Sequence, residues 1–308
     1  MRSRFLNSHR LAQLALVIAA AALVVRLSVK DRFVATGVVY YGFPLPVIAG
    51  LLVMAAAAWL RNRKYAPGLA VMGLAVFCVV AWCRETCYSN PPRAAHTNRV
   101  RILLWNAGRP HGDPSEMFER LAAHRADVMV LVESGDAASA GVVPSLSAGF
   151  NVHDFGGGIT VIARGAITQP QLHKHGTRNR IAACIVTLEG GPLPFLVVDL
   201  DSNPLVSRRE SLRKVTEMQA QAPALVVLGD FNTPSDSVWF DDLRRDFLES
   251  FEAAGSGLHA TWPSYLPILA IDHIWVHRSL ETCSSAIITT FDSDHRIVLA
   301  DVQWPASR

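Results

Sequence analysis

Three stretches within the first ninety residues, 11–25, 43–60 and 67–83, contain no charged side chain. A helix needs about 20 apolar residues to cross roughly 30 Å of hydrocarbon. With their flanks these stretches predict transmembrane helices over about 11–29, 40–60 and 67–83. The first is the shortest and has to recruit Arg10 and Arg26, whose long side chains can snorkel to the interface. Arg2, Arg4 and Arg10 would also suit the basic region of a cleaved leader. However, Val24-Val25-Arg26 lacks the small-residue pattern of a cleavage site. Buried helices of a soluble domain are disfavoured for the other two, because nothing amphipathic interrupts them.

The charge divides at the same place. Residues 1–89 carry ten Lys/Arg and two Asp/Glu, whereas residues 90–308 carry nineteen and twenty-four. The overall +3 is therefore the sum of a basic, apolar leading part and an acidic remainder. Half of all residues are apolar and 18 % are charged, which excludes a disordered chain. Residues 1–89 are thus expected to form a membrane region, and 100–308 a domain long enough for one large core. Ser89-Asn90-Pro91-Pro92 opens a linker over 90–99, since paired prolines stop a helix.

Basic residues of short loops set orientation. With the N-terminus inside, Arg2, Arg4, Arg10, Arg61, Arg63 and Lys64 lie inside and Arg26, Lys30, Arg32 and Arg84 outside. This bias predicts a multi-pass protein of the cytoplasmic membrane whose large domain is extracytoplasmic. There, Cys83 and Cys87 would meet oxidant, and their i,i+4 spacing would let them approach. The five cysteines form no Cys-x-x-Cys pair and no metal-finger spacing.

From Val100 the pattern becomes short apolar runs separated by polar, helix-compatible stretches. Strands are predicted at 101–106, 128–133, 159–163, 181–188, 195–200, 224–228, 271–276 and 297–302, and helices at 114–124, with Asp113 as cap, and 207–221. This alternation describes a mixed, two-sheet α/β or α+β domain. Polar residues cluster where the apolar runs end: Asn106, Glu133, Asp230 with Asn232, Asp272, and Asp294-His295. A rigid sheet that projects side chains from its strand ends is a common platform for an active site. The donor set is oxygen-rich, which suits Mg²⁺, Mn²⁺ or Ca²⁺ rather than zinc. Such an ion beside a His–Asp pair suits hydrolysis of a phosphoester.

Leu104-Trp105-Asn106, Val130-Leu131-Val132-Glu133, Gly229-Asp230-Phe231-Asn232-Thr233, Ile271-Asp272-His273-Ile274 and Ser293-Asp294-His295-Arg296 resemble, in order, the five motifs of the endonuclease/exonuclease/phosphatase superfamily. The resemblance spans nearly all of 100–304. It implies an α+β fold, a four-layer αββα sandwich, with a Mg²⁺- or Mn²⁺-dependent site at the sheet rims. It further implies that Glu133, Asn106 and Asp294 hold the metal and that Asp230 orients or deprotonates the attacking water. Asn232 would hold a phosphate oxygen, and His295, supported by Asp272, would stabilise the transition state.

One departure stands out. The strand before Gly-Asp-Phe-Asn usually carries a phosphate-contacting His, but here it reads Val197-Val198-Asp199-Leu200-Asp201. Asp199 takes the matching position, and alternation puts Asp201 on the same face. A carboxylate there repels phosphate unless a cation or a proton intervenes. Asp199 and Arg180 are therefore candidate contacts to the substrate phosphate. His111, His153, His173 and His175 are alternatives that their spacing does not rank.

No Tyr occurs between Tyr88 and Tyr265, so the mid-domain tyrosine of the superfamily's abasic-site nucleases has no match. The net negative domain also disfavours nucleic acid as partner, although Arg178, Arg180, Arg208, Arg209, Arg213 and Lys214 could form a local basic patch. Membrane helices ahead of the domain, with Thr261-Trp262-Pro263 before Ile-Asp-His, resemble bacterial phosphatases of lipid-linked pyrophosphates. The expected activity is hydrolysis of a lipid or lipid-linked phosphate at a membrane surface, with membrane lipids as partners. The competing expectations are a membrane-tethered nuclease and a non-catalytic binding module.

Overall fold

A computed structural model describes residues 2–93, 98–109, 119–135 and 149–305. The chain divides into two compact units, one comprising residues 1–87 with 203–207 and 236–238, the other comprising the rest.

The first unit contains helices α1 (Arg2–Leu27), α2 (Val34–Gly42), α3 (Leu45–Arg61) and α4 (Tyr65–Thr86). Within α1, the segment Arg10–Leu27 is long and apolar enough to cross a membrane, as is α4. The stretch expected as one helix over 40–60 is instead a bent pair, α2 and α3, at 67°. Its break follows from Pro44, which lacks the N–H a continuous helix needs and caps α3 instead. Packing between the helices uses small side chains (Ala19, Ala22, Ala49, Ala75 and Cys78) around Ile48 and Leu52. Large apolar side chains such as Leu14, Val17, Val76 and Phe77 are exposed. Small residues inside and large apolar residues outside is how helices pack when their surroundings are as apolar as their contacts. Cys83 and Cys87, expected to be near enough to pair, have free thiols, like Cys78, Cys184 and Cys283.

The second unit is built on two six-stranded mixed sheets. In one, β10 (Phe247–Glu249), β12 (Asp272–His277), β9 (Val226–Asp230), β8 (Gly191–Asp199), β7 (Asn179–Leu188) and β6 (Ala166–His175) lie side by side in that order. In the other, the order is β13 (Glu281–Ile288), β14 (Ile297–Gln303), β2 (Arg99–Asn106), β3 (Val128–Val132), β5 (Ile159–Ala163) and β4 (Asn151–Gly156). Helix α5 (Arg208–Gln221) packs on the first sheet.

Strand alternation explains why the central strands read as continuous apolar runs. Ile102, Leu104, Val128 and Val130 face Phe195, Val197, Val226 and Ile274 in the core between the sheets. On the outer face of one sheet, Leu196, Val198 and Val227 meet Leu212 and Val215 of α5. On the outer face of the other, Leu103, Trp105, Met129 and Leu131 meet Leu121 of the helical turn at 119–122. Sheets covered on both faces need apolar residues at every position. Each large apolar side chain so buried contributes about 1.5–3 kcal/mol. The result is the expected α+β sandwich. Residues 114–118 of the helix expected at 114–124, with Asp113 and His111, lie outside the described residues, and 119–122 form a helical turn.

The stretch expected as a linker is partly ordered by pairing. β1 (Cys87–Ser89) pairs with β11 (Ser256–Leu258), the Asn90 N–H donates to the Gly255 carbonyl at 3.1 Å, and the Arg93 N–H donates to the Cys283 carbonyl at 2.8 Å.

Candidate active site

Parallel pairing brings carboxylates together at one rim. β2 and β3 run parallel with Asn106 opposite Val132, so Asn106 and Glu133 emerge side by side. In the other sheet β8 and β9 run parallel with Asp199 opposite Asp230. Antiparallel β12 then starts with Asp272 opposite Asp230. β14 is antiparallel to β2 with Val298 opposite Leu104, which puts His295, just before it, at the Asn106 end.

The side chains meet there. His295 Nδ1 lies 2.9 Å from Asp272 Oδ2 and 3.1 Å from Oδ1, and its Nε2 lies 4.0 Å from Asp230 Oδ2. Asn106 Nδ2 donates to that same Asp230 oxygen at 2.8 Å, and the Asn232 N–H donates to Asp230 Oδ1, also at 2.8 Å. Asp230, Asp272 and His295 are all buried, with one donor atom from each within 4.8 Å of the others. Burial opposes charge on His295, but the Asp272 carboxylate beside it, aided by Asp230 and Asp294, overcomes this and raises it to about 10. The imidazole is therefore a cation at neutral pH, held by Asp272 with Nε2 turned toward Asp230. Burial, then the negative charge of Asp272, raises Asp230 above the usual carboxylate range. A buried carboxylate of raised basicity is a competent proton acceptor.

Glu133 adopts a left-handed conformation (φ 49°) and its carboxylate lies 3.2 Å from Nε of the exposed Arg109. The turn at Gly157-Gly158 closes over it: a Cβ on Gly158 would stand 3.2 Å from the Glu133 Cα, on a backbone at φ +89°. Asp199 borders the same space. Burial, then the charges of Asp230 and Glu133, push it up to about 8 against the pull of Arg180 and Arg109. A proton held there at neutral pH removes the repulsion that a carboxylate would otherwise present to a phosphate. Asp201 lies beyond the end of β8, where its N–H donates to Asn179 Oδ1 at 2.9 Å.

Other candidate residues are committed in ways the sequence did not reveal. Asn232 Nδ2 donates to the Leu200 carbonyl at 2.8 Å, leaving one amide hydrogen for a substrate. Asp294 Oδ2 accepts from Trp262 Nε1 at 3.0 Å, and its Oδ1 is 4.0 Å from His295 Nε2. Arg180 donates to the Asn179 and Thr177 carbonyls at 3.0 and 3.1 Å while facing Asp199 across the strands. Of the alternative histidines, His153 packs against Phe155, His173 contacts Gln171 and His175 faces Glu210.

Two hydroxyls to which sequence reasoning assigned no role hold the site together. Ser293 Oγ donates to the Asn106 carbonyl at 2.8 Å and accepts from the His295 N–H at 3.1 Å, coupling two motifs. Thr261 Oγ1 accepts from the N–H groups of Ile271 and Asp272 at 3.2 and 3.3 Å. The Thr261-Trp262-Pro263 segment pointed to this residue without giving it a role.

The residues fit a hard divalent cation. Carboxylates of Glu133 and Asp230 crowd one rim beside Asp199, whose proton affinity their charges raise. Asn106 Oδ1, which accepts from the Gly108 N–H at 2.9 Å, is a further oxygen donor beside them. Such oxygen-only donors suit Mg²⁺ or Mn²⁺.

Comparisons with known proteins identify the family and the fold. The model of the Endonuclease/Exonuclease/phosphatase family matches residues 103–295. No curated protein matches the sequence. Among solved structures, a humanized D. rerio TDP2 superposes with a TM-score of 0.56 at 18 % identity, over 67 % of this chain and 99 % of that one. A mannosyl-6-phosphatase of Bacteroides thetaiotaomicron gives 0.56 at 14 % identity, over 67 % and 100 %. The human Nocturnin catalytic domain with bound sulfate gives 0.55 at 15 % identity, over 70 % and 97 %. At these identities the likeness to solved structures is one of fold.

Proposed function

The chain belongs to the endonuclease/exonuclease/phosphatase family, whose members are hydrolases of phosphoester bonds, and from that premise we propose a membrane-anchored, divalent-metal-dependent phosphoesterase acting on a lipid or lipid-linked phosphate. The observation that carries the reading is the contact chain Asn106–Asp230–His295–Asp272 beside Glu133 and Asp199.

In this reading Asp230, aligned by the Asn106 amide and the Asn232 N–H, takes the proton of the attacking water. His295, charged and held by Asp272, stabilises negative charge developing on the phosphoryl oxygens. Asn232 donates its remaining amide hydrogen to one of those oxygens. Glu133, Asn106 and Asp294 hold Mg²⁺ or Mn²⁺, which when bound offsets phosphate charge and polarises the scissile bond. Protonated Asp199 and Arg180 contact the substrate at the position where the superfamily pattern has a His.

The apolar helices support anchoring in a membrane, the basic residues of the short loops favour the cytoplasmic membrane with the domain extracytoplasmic, and anchoring favours a substrate presented by the bilayer. The test is a substrate panel with purified full-length protein in detergent: a prenyl pyrophosphate, a phosphodiester lipid and plasmid DNA, each with Mg²⁺, Mn²⁺ or excess chelator. Metal-dependent turnover of a lipid substrate is expected. Cleavage of plasmid DNA alone would make the protein a tethered nuclease, turnover in chelator would refute the metal role, and binding without turnover would leave a recognition module.

A further inference from the structure

A second titratable cluster lies apart from the residues that meet at the rim. Glu249 ends β10, His259 follows β11 and His273 is the second residue of β12. All three are at most 1 % exposed, and one donor atom from each lies within 4.8 Å of the others. Of the ten buried side-chain polar atoms without a hydrogen-bond partner among the described residues, four are here: Glu249 Oε1, both ring nitrogens of His259 and His273 Nδ1. Buried polar atoms are otherwise almost always satisfied, so four in one spot call for a ligand.

The surroundings already orient these donors. His273 Nε2 lies 3.0 Å from the Thr233 carbonyl and must donate to it, which leaves the Nδ1 lone pair bare. Glu249 Oε2 accepts from the Glu252 N–H at 2.9 Å, leaving Oε1 without a partner. The His259 ring is stacked on Phe251 at 4.9 Å and meets Tyr88 and His273 edge-on at 5.8 Å each. Its Nε2 stands 3.5 Å from Glu249 Oε2, beyond a good hydrogen bond. That spacing is close to the roughly 3.3 Å between ligand atoms set tetrahedrally about 2.0–2.1 Å from one ion.

We propose that Glu249, His259 and His273 form a second, structural metal site that takes zinc or an ion of the same class, separate from the oxygen-lined rim. Two imidazoles and one carboxylate are a borderline-soft donor set, unlike the all-oxygen set at Glu133 and Asp230. The Thr233 carbonyl and the Glu252 N–H supply the outer hydrogen bonds that usually orient such ligands. The ion would tie β10, the segment after β11 and β12 together. It would stabilise the strand that starts at Asp272 without touching substrate, since alternation turns His273 away from its neighbour.

The experiment uses the full chain in detergent, supplied with Zn²⁺ and then dialysed against a chelator strong enough to strip surface ions. The expected content is one zinc per chain in the wild type and in Glu133→Gln, and less than a tenth of that in His259→Asn and Glu249→Gln. Loading with Co²⁺ in place of zinc should give the intense visible bands of a tetrahedral ion in wild type, lost in both variants. Folded wild-type protein that retains no zinc and shows only weak octahedral Co²⁺ bands would overturn the proposal. Equal zinc in folded Glu249→Gln and wild type would do the same. Should the variants fail to fold, the wild-type metal content and Co²⁺ spectrum still decide.

Discussion

Asp272 sits where two kinds of support meet, and they can be separated. Its carboxylate holds the His295 imidazolium, while its backbone N–H rests on the Thr261 hydroxyl. Replacing Asp272 by Asn removes the charge that keeps His295 protonated and offers its ring an amide in place of a carboxylate. We expect turnover to fall by about 10²- to 10⁴-fold, the usual worth of a positioned acid or base, beyond what any loss of stability in the folded protein accounts for. Thr261→Val should do the reverse: two N–H groups lose their acceptor, at about 1–3 kcal/mol of stability, while turnover falls far less. Urea denaturation alongside steady-state kinetics distinguishes the two. Asp230→Asn and His295→Ala should each lower turnover by orders of magnitude while leaving the fold intact. The same contrast explains what was legible at this scale. Asn106, Glu133 and Asp230 announce themselves because each closes an apolar run, so a polar residue there is conspicuous. Thr261 and Ser293 stand in segments whose other members draw the eye, and Asn179 just precedes a predicted strand; only the chain's return path shows what their side chains hold. Glu249 and His259 carry no local signal either, since a lone Glu and a lone His say nothing until β10 and β12 pair.

Eight strands were expected from Val100 onward, and they are the eight interior strands of the two sheets: β12, β9, β8 and β7, and β14, β2, β3 and β5. The four missed within these sheets, β10, β6, β13 and β4, are all edges. An interior strand covered on both faces must be apolar throughout and so advertises itself, whereas an edge strand is free to be polar. β6 shows the extreme: Pro170 lies within it, Gln169 has a left-handed backbone (φ 51°), and its pairing with β7 shifts register between Thr168 and Gln171. Proline and a bulge are how exposed edges avoid further pairing. Interior pairing also tests the role of Gly229 in the Gly-Asp-Phe-Asn segment. Its φ of +143° is one L side chains rarely adopt, and a Cβ there would stand 1.8 Å from the Val198 carbonyl. Gly229→Ala should therefore cost more than about 3 kcal/mol or abolish folding, read by thermal unfolding and soluble yield. A gentler test lies on β14. Burial alone would raise Asp301, but hydrogen bonds from Arg101 and Ser284 and the charges of Arg101 and Arg99 outweigh it and lower it. A carboxylate lowered on folding adds stability above its unfolded pKa of about 3.9, and that contribution is lost as pH falls through the lower folded value. Asp301→Asn should lower the melting temperature at pH 7 and flatten the decline of stability below pH 4; an unchanged acid limb would show that the pair contributes nothing.

For the whole molecule, the division of charge matches a division of packing rules. Residues 1–89 hold two acidic side chains and place small residues between helices with large apolar ones outside, whereas the sandwich buries its large apolar residues between and over its sheets. The uncharged stretches already marked the helices that are long and apolar enough to cross a membrane. What the sequence did not reveal was the bend at Pro44, because hydropathy reports how apolar a segment is and not its direction. If the helices are an anchor, removing them should separate access from chemistry. A chain beginning at Cys87 keeps β1 and the whole interior of both sheets, so its turnover of a soluble activated phosphoester should match that of the full chain. On a lipid-linked phosphate in vesicles, however, the truncated chain loses the raised local concentration that tethering supplies, an effect worth about 10²-fold or more. The measurement is kcat/KM for both chains on both substrates, with carbonate extraction of membranes as the control for anchoring and a reporter fused after Trp304 for sidedness. Equal loss on both substrates would mean that residues 1–86 serve the fold rather than access. A selective loss on the vesicle substrate, with the reporter active only outside the cytoplasm, is the outcome that an anchored phosphoesterase requires.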